Sequence, residues 1–414
     1  MAGQAGVPPR VHKRSISDQQ RRREIALERQ KQSRRDLQQH ARQLASGFSP
    51  PSSPSQWDDA AHDDDCSQSS PGSKRKGILE GTKLKGGKAR EFYSQQLMLP
   101  EWMVDIPINL KKDWCIMARP AGQRCLVIAA NGSTISRQRN GRILHCFPSA
   151  LPNGARTRDV AAASHVYCIL DCIFHAPDKT YYVVDMMCWR GYSLYDCSAE
   201  FRFFWMTTKL AETGALNPPT AHHRYRFSVV PVFECNAASL EAVYSGSVAF
   251  VRDGLLFVNR HAHYQMGLTP LVLLWKDAEC SLYLFDTDSQ GNVPAHQQVV
   301  LELCSDGTVV TSDQPPTVLG SLPSDFLQQN AQYLKPGDLL RFAIGDQGIS
   351  IVDGKPVVAD IHFQGLASKN RAGGADSCTK ILFQYAARHS PLTITDLLVA
   401  IEASDDDGDT SMAC

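Results

Sequence analysis

The chain has 414 residues, with 43 bases balanced by 43 acids, 43% hydrophobic residues and 13 cysteines. That length holds one large domain or two ordinary ones, and the composition suits a globular protein with a true core. No run of about 18 apolar residues occurs, which excludes a membrane-spanning helix. The opening residues lack a signal-peptide core, and the cysteines, without a CxxC pair, read as reduced thiols.

The neutral total hides an imbalance. Between Arg10 and Ser46 stand eleven bases (Arg10, Lys13, Arg14, Arg21, Arg22, Arg23, Arg29, Lys31, Arg34, Arg35, Arg42) and four acids (Asp18, Glu24, Glu28, Asp36). Eleven less four leaves +7 on this arm, and therefore −7 on the rest of the chain. Such an arm binds either nucleic acid or an acidic protein groove. Residues 1–9 are small and polar and are expected to be disordered. Residues 17–46 read as one helix, capped by Ser17 or Asp18 and uninterrupted by Pro or Gly until Gly47. Leu37, Ala41, Leu44 and Ala45 form a narrow apolar stripe, and a helix so charged elsewhere is expected to form fully only on a partner. Residues 47–90 have linker composition: Ser-Pro pairs at Ser49, Ser53 and Ser70, acids Asp58, Asp59, Asp63, Asp64 and Asp65, then Lys74-Arg75-Lys76 among glycines. Low hydrophobicity and high charge predict disorder there.

From Glu91 the pattern changes to short strands. Cys115–Ala118 and Cys125–Ala130 flank a glycine-containing turn and predict a hairpin, as do Tyr167–Phe174 and Tyr181–Met187. Further strands are expected at Gly254–Asn259, Leu271–Trp275, Ser281–Asp286, Val299–Leu303, Leu339–Ile344, Gly348–Val352 and Val357–Phe363. Helices are expected at Phe201–Leu210, Ala237–Tyr244 and Thr393–Ala403. Short loops between strands predict a mostly antiparallel α+β fold. The end, including Asp405–Asp407 and Asp409, is an acidic tail.

Motifs for catalysis are sparse. His261-Ala-His263 offers two alternating histidines without a third ligand, so no metal site is predicted. Neither GxSxG nor GxxxxGK[ST] occurs. Asp171, Asp185 and Asp253 are acids expected at strand ends, suited to orienting a neighbour or capping a turn.

Three pieces in order are more specific: Arg119-Pro-Ala-Gly-Gln-Arg124, Asp253-Gly-Leu-Leu-Phe257 and Leu273-Leu-Trp-Lys276. They resemble the nucleotide-binding motifs of the mRNA capping enzyme (guanylyltransferase) and ligase fold, whose first motif reads K-x-D-G-x-R. Arg119 stands at the position of its nucleophilic lysine, and Ala121 at that of its aspartate. A guanidinium stays protonated and cannot serve as an amine nucleophile. The resemblance therefore implies a nucleotide pocket without covalent chemistry and without a cofactor.

A second resemblance is closer. The basic arm, Gln95–Trp102, Ile169–Ile173, Asp185–Gly191, Tyr195–Cys197, Phe201–Met206 and Asp253–Phe257 resemble the snurportin family across about residues 10–276. That family links trimethylguanosine-capped small nuclear ribonucleoproteins to importin-β. The resemblance implies a disordered 1–9, an importin-β-binding helix at 10–46, a linker at 47–90, a cap-binding domain at 91–276 and an acidic tail at 403–414. Residues 277–402 extend beyond it and read as a β-rich extension with a final helix.

The resemblance assigns Trp275 as the platform on which the cap stacks and Trp102 as the second aromatic wall; Trp189 and Trp205 read as core. Methylation at N7 gives guanine a fixed positive charge, so stacking on indole adds cation–π attraction. Two methyls on N2 remove its donors, so the facing edge must be apolar. Arg124, Arg139 and Arg119 are expected on the triphosphate bridge. Arg21, Arg22, Arg23, Arg34 and Arg35, with Leu37 and Leu44 fixing register, are expected on importin-β. The implied locations are cytoplasm and nucleus, with no membrane partner. An exportin is a further implied partner, although Met1–Pro9 lacks the apolar opening through which animal relatives bind it. Pro100 stands where those relatives place a serine beside the pocket tryptophan. The competing readings are a guanylyltransferase using Lys111 or Lys112, and a general RNA-binding protein.

Overall fold

A computed structural model describes residues 17–32, 37–46, 86–156, 165–288, 290–352, 354–367 and 374–406. The sequence-predicted features of residues 1–16, the arginines Arg34 and Arg35, the linker up to residue 85 and the end of the acidic tail lie outside these. The arm contributes α1 (Asp18–Gln32) and α2 (Leu37–Ser46), so the single helix expected over 17–46 is two helices among the described residues. Gly86–Ser94 forms α3, whose first turn falls in the stretch expected to be linker.

The elements that follow build two packed sheets. They are β1 (Met98–Trp102), α4 (Leu110–Asp113), β2 (Trp114–Pro120), β3 (Gln123–Ala130), β4 (Ser133–Gln138), β5 (Ile143–Phe147), β6 (Cys168–His175), β7 (Thr180–Trp189) and β8 (Tyr192–Ser193). Next come α5 (Ala199–Ala211), β9 (Arg226–Val229), β10 (Phe233–Glu234), α6 (Ala237–Tyr244), β11 (Arg252–Asn259) and β12 (Gly267–Trp275). One sheet has the order β1-β12-β11-β2-β10; the other runs β5-β4-β3-β6-β7-β8, with β9 beside β7. Pairing is antiparallel except for β1 with β12 and β7 with β9. The fold is α+β with mostly antiparallel sheets, as the strand spacing predicts.

The expected pairing of β6 with β7 forms, with Ile173 opposite Tyr182. The expected hairpin of β2 with β3 does not. β2 pairs with β10 and β11, whereas β3 pairs with β4 and β6. The turn between them carries the chain from one sheet into the other. Ala121 N donates to Val251 O at 2.7 Å, and Gly122 has φ +137°; a Cβ there would come within 2.3 Å of Phe174 O. The glycine that reads as a hairpin turn thus permits a sheet crossing.

The first sheet is buried on both faces, and strand alternation sorts its residues. Cys115, Met117, Leu256, Val258, Val272 and Leu274 join the core shared with the second sheet. Trp114, Ile116, Leu255, Phe257, Leu273 and Trp275 face a separate core built with the helices. A fully buried ion pair locks α5 against the second sheet: Arg202 donates to both Asp185 oxygens at 2.9 and 2.8 Å.

Residues beyond 277 form a third sheet and two returning helices. The elements are β13 (Gln298–Leu303), β14 (Thr308–Val310), β15 (Val318–Ser321), α7 (Ser324–Gln329), β16 (Leu339–Val352) and β17 (Lys355–Leu366), then α8 (Cys378–His389) and α9 (Ile394–Asp406). The order is β15-β14-β13-β16-β17, and the edges approach each other, since a Cβ on Gly320 of β15 would lie 2.7 Å from Ile361 of β17. Five strands in this order with a helix before the fourth make a partly open barrel of the OB type. The strands expected at Leu339–Ile344 and Gly348–Val352 are one strand, interrupted by a bulge between Ile344 and Ile349. Ser281–Asp286, expected as a strand, is a loop with Leu282 and Tyr283 exposed. His261 and His263 lie in the turn after β11, not on a strand. Helices α8 and α9 leave the barrel and supply Phe383, Leu397 and Ile401 to the helix-side core of the first sheet.

Candidate functional site

A cavity of about 1520 Å³ opens where β1 and the end of β12 meet the barrel and the arm. Trp102, Arg119, Arg124 and Arg139 all border it, together with Leu274 and Lys276. Four of the five residues predicted to hold a capped nucleotide therefore border the same cavity. The space exceeds that of a typical small-molecule site.

Trp102 ends β1 and is half-buried. Its carbonyl accepts from Gln19, its N–H reaches Thr379 Oγ1 at 3.3 Å, and its ring lies 5.0 Å from that of Phe383. Lys276 Nζ stands 5.9 Å from the Trp102 ring centroid.

Trp275 does not join the others. It is fully buried in the helix-side core, and its indole N–H donates to Leu392 O at 3.0 Å. The reason is strand parity: on β12, adjacent residues face opposite ways, so Leu274 and not Trp275 borders the cavity. In this structure Trp275 is a packing residue, and the stacking role expected of it has no surface to act on. Trp189 is buried as expected, and Trp205 packs at the edge of the same core.

The cations are held by carboxylates. Arg124 Nε and Nη2 donate to Asp171 at 2.9 and 2.7 Å, and Tyr264 Oη donates to the same Asp171 at 2.7 Å. Asp171 is fully buried; burial pushes its pKa up, against the pull of Arg124. Arg119 donates to Asp253 Oδ2, and Lys276 donates to Asp253 Oδ1 at 2.6 Å and to Tyr283 O at 3.0 Å. Burial lowers the pKa of both Arg119 and Lys276, with Asp253 opposing the shift. One aspartate thus serves two cations and leaves a net positive charge, whereas Arg124 and Asp171 cancel. Asp171 and Asp185 orient arginines from mid-strand; Asp253 does so near the start of β11. Arg139 follows β4 on the exposed rim.

Lys276 belongs to a quoted motif, yet its role was not legible there. Reading β12 by alternation would have placed Leu274 toward one side and Trp275 toward the other.

The arm also borders the cavity. Arg23 is buried and bonds Asp105 at 3.0 Å, Arg22 bonds Glu101 and Asp18, and Arg21 bonds Asp18 at 2.6 Å. Leu44 is fully buried and Leu37 partly buried in the core of the second sheet. The apolar stripe expected to meet a partner lies on the chain's own domain here. Arg34 and Arg35 are outside the described residues.

Residues 96–277 match the sequence model of the Snurportin1 m3G cap-binding domain. Over this stretch, which is less than half of its length, the chain is similar to that domain. The matched stretch runs from β1 through β12, and the cavity lies at its border with α1, the barrel and α8. Among solved structures, a mycobacterial DNA ligase D complexed with ATP and MES is 13% identical, covering 69% of this chain and 99% of its own, with a TM-score of 0.32. The ligase domain of M. tuberculosis LigD is 12% identical, covering 69% and 98%, with a TM-score of 0.31. A Lig E DNA ligase is 14% identical, covering 66% and 98%, with a TM-score of 0.28. These superpositions are too loose for any residue or activity to be transferred.

Proposed function

We propose that the chain is a non-enzymatic import adapter. Its cavity holds the 2,2,7-trimethylguanosine cap of a spliceosomal small nuclear RNA, and the arm of residues 10–46 engages importin-β. The protein shuttles between cytoplasm and nucleus, with an exportin returning it. The observation that carries this reading is that the family match covers Trp102, Arg119 and Arg124 on their strands and Arg139 just after β4, and that all four border one cavity.

The chemistry of the walls supports it. Trp102 offers an aromatic face to a cationic base. Leu99, Pro100 and Leu274 give the apolar edge that a doubly methylated N2 requires. Lys276 and Arg119, sharing Asp253, leave positive charge for phosphate oxygens. Arg119 keeps its proton, so the position aligned with the guanylyltransferase nucleophile cannot attack a phosphate.

Titration with a trimethylguanosine cap dinucleotide against its monomethyl counterpart, read by tryptophan fluorescence, tests the pocket. The trimethyl form should bind more tightly, and equal binding of both would count against the proposal. Incubation with labelled GTP should give no covalent protein–GMP adduct; an adduct would sink the non-enzymatic reading.

A further inference from the structure

Helix α1 is pinned along the rim of the cavity at both ends. Near its start, Gln19 is 1% exposed; its amide donates to Glu101 Oε2 and Trp102 O, both at 2.9 Å, and its carbonyl accepts from Val104 N and Asp105 N at 3.3 and 3.4 Å. Arg22 and Arg23 add ion pairs to Glu101 and Asp105. Near its end, Gln30 donates to His261 O at 2.7 Å and accepts from His263 N at 3.0 Å. The residues of α1 that border the cavity are Asp18, Arg21, Arg22, Ile25, Ala26 and Arg29, which is one helical face at i, i+3, i+4, i+7, i+8 and i+11. Glu24 and Glu28 are not among them.

Several of the domain's own cations already hold carboxylates. Arg124 is neutralised by Asp171, Arg119 and Lys276 share Asp253, and Lys380 pairs with Asp286 and Asp376. On the α1 wall, the Arg21 side chain is 57% exposed although it pairs with Asp18 at 2.6 Å, and Arg29 is exposed with no ion pair among the described residues. A polyphosphate needs cations that can leave water and meet it without breaking a buried pair.

We infer that α1 is part of the ligand site itself: Arg21 and Arg29, on the wall it forms, bind the polyphosphate bridge of the capped nucleotide. This rests on the cap-binding reading above. It also implies that α1 cannot serve the cavity and a carrier with the same arginine at once. Cap occupancy and carrier engagement of α1 then weaken each other by the same factor.

The test uses the full chain, Arg21→Ala/Arg29→Ala and a control, Lys112→Ala, exposed and away from the cavity. Each is titrated with trimethylguanosine cap dinucleotide and with trimethylguanosine nucleoside. The double variant should lose roughly tenfold in affinity for the dinucleotide, with the salt dependence shallower by about one to two units of slope. Nucleoside binding and the control should not change. Unchanged dinucleotide binding in the double variant would overturn the inference and leave the cap reading intact, and so would an equal loss for the nucleoside. Failure of the unaltered chain to bind either ligand would remove the cap reading and the inference together.

Discussion

Trp102 borders the cavity while Trp275 is sealed beneath it, and the two should respond differently to truncation. Trp275→Ala removes a large, fully buried indole and its bond to Leu392 O, so unfolding in urea should show a loss of about 3–5 kcal/mol. Trp102→Ala should cost the capped ligand about 1–3 kcal/mol of binding, with a smaller stability change. Asp171→Ala leaves the largely buried Arg124 guanidinium without its carboxylate and should destabilise the fold by about 3–5 kcal/mol. A variant no less stable than the parent would mean that Arg124 finds water or another partner. The sequence reading named Trp102, Arg119, Arg124 and Arg139, and all four border the same cavity. It misplaced Trp275 because a motif records identity and spacing, whereas the side a strand residue faces depends on which sheet lies on which side.

At the level of elements, local pattern identified most strands and helices but not their partners. β6 and β7 pair across a four-residue turn, whereas β2 and β3, closer still in sequence, belong to different sheets. The information that separates the cases is long-range: β2 is claimed by β11, over a hundred residues later. Gly122→Ala should destabilise by more than about 1 kcal/mol in thermal or chemical unfolding, because alanine disfavours φ +137° and its methyl meets Phe174 O. The arm was legible as a helix with a charged surface, but its seat was not, since Gln19, a residue without a motif, makes the central contacts. Gln19→Ala combined with Arg23→Ala should release α1, seen as faster amide hydrogen exchange in α1 with β6 and β7 unchanged. Retained protection in α1 would show that Ser17, Arg22 and Gln30 suffice to hold it.

For the whole molecule, charge is divided among the parts. The arm carries +7, and residues 298–366 hold eight acids against Lys335, Arg341 and Lys355, a net −5. OB-type barrels often bind oligonucleotides, but phosphate contacts need surplus cations. Replacing Lys335 and Arg341 with Ala should leave the salt dependence of capped-RNA binding unchanged; a slope shallower by one unit or more would place RNA on the barrel. The bond between Trp275 and Leu392 also has a meaning in time. The two residues are 117 positions apart, so at about 5–20 residues per second some 6–23 s of synthesis separate them. Throughout that interval β12 has emerged without the helices that cover its far face, and the arm, made first of all, has its arginines bare beside an unfinished seat. The apolar far face of β12 therefore stays open until α8 and α9 are made, and those two helices end that period.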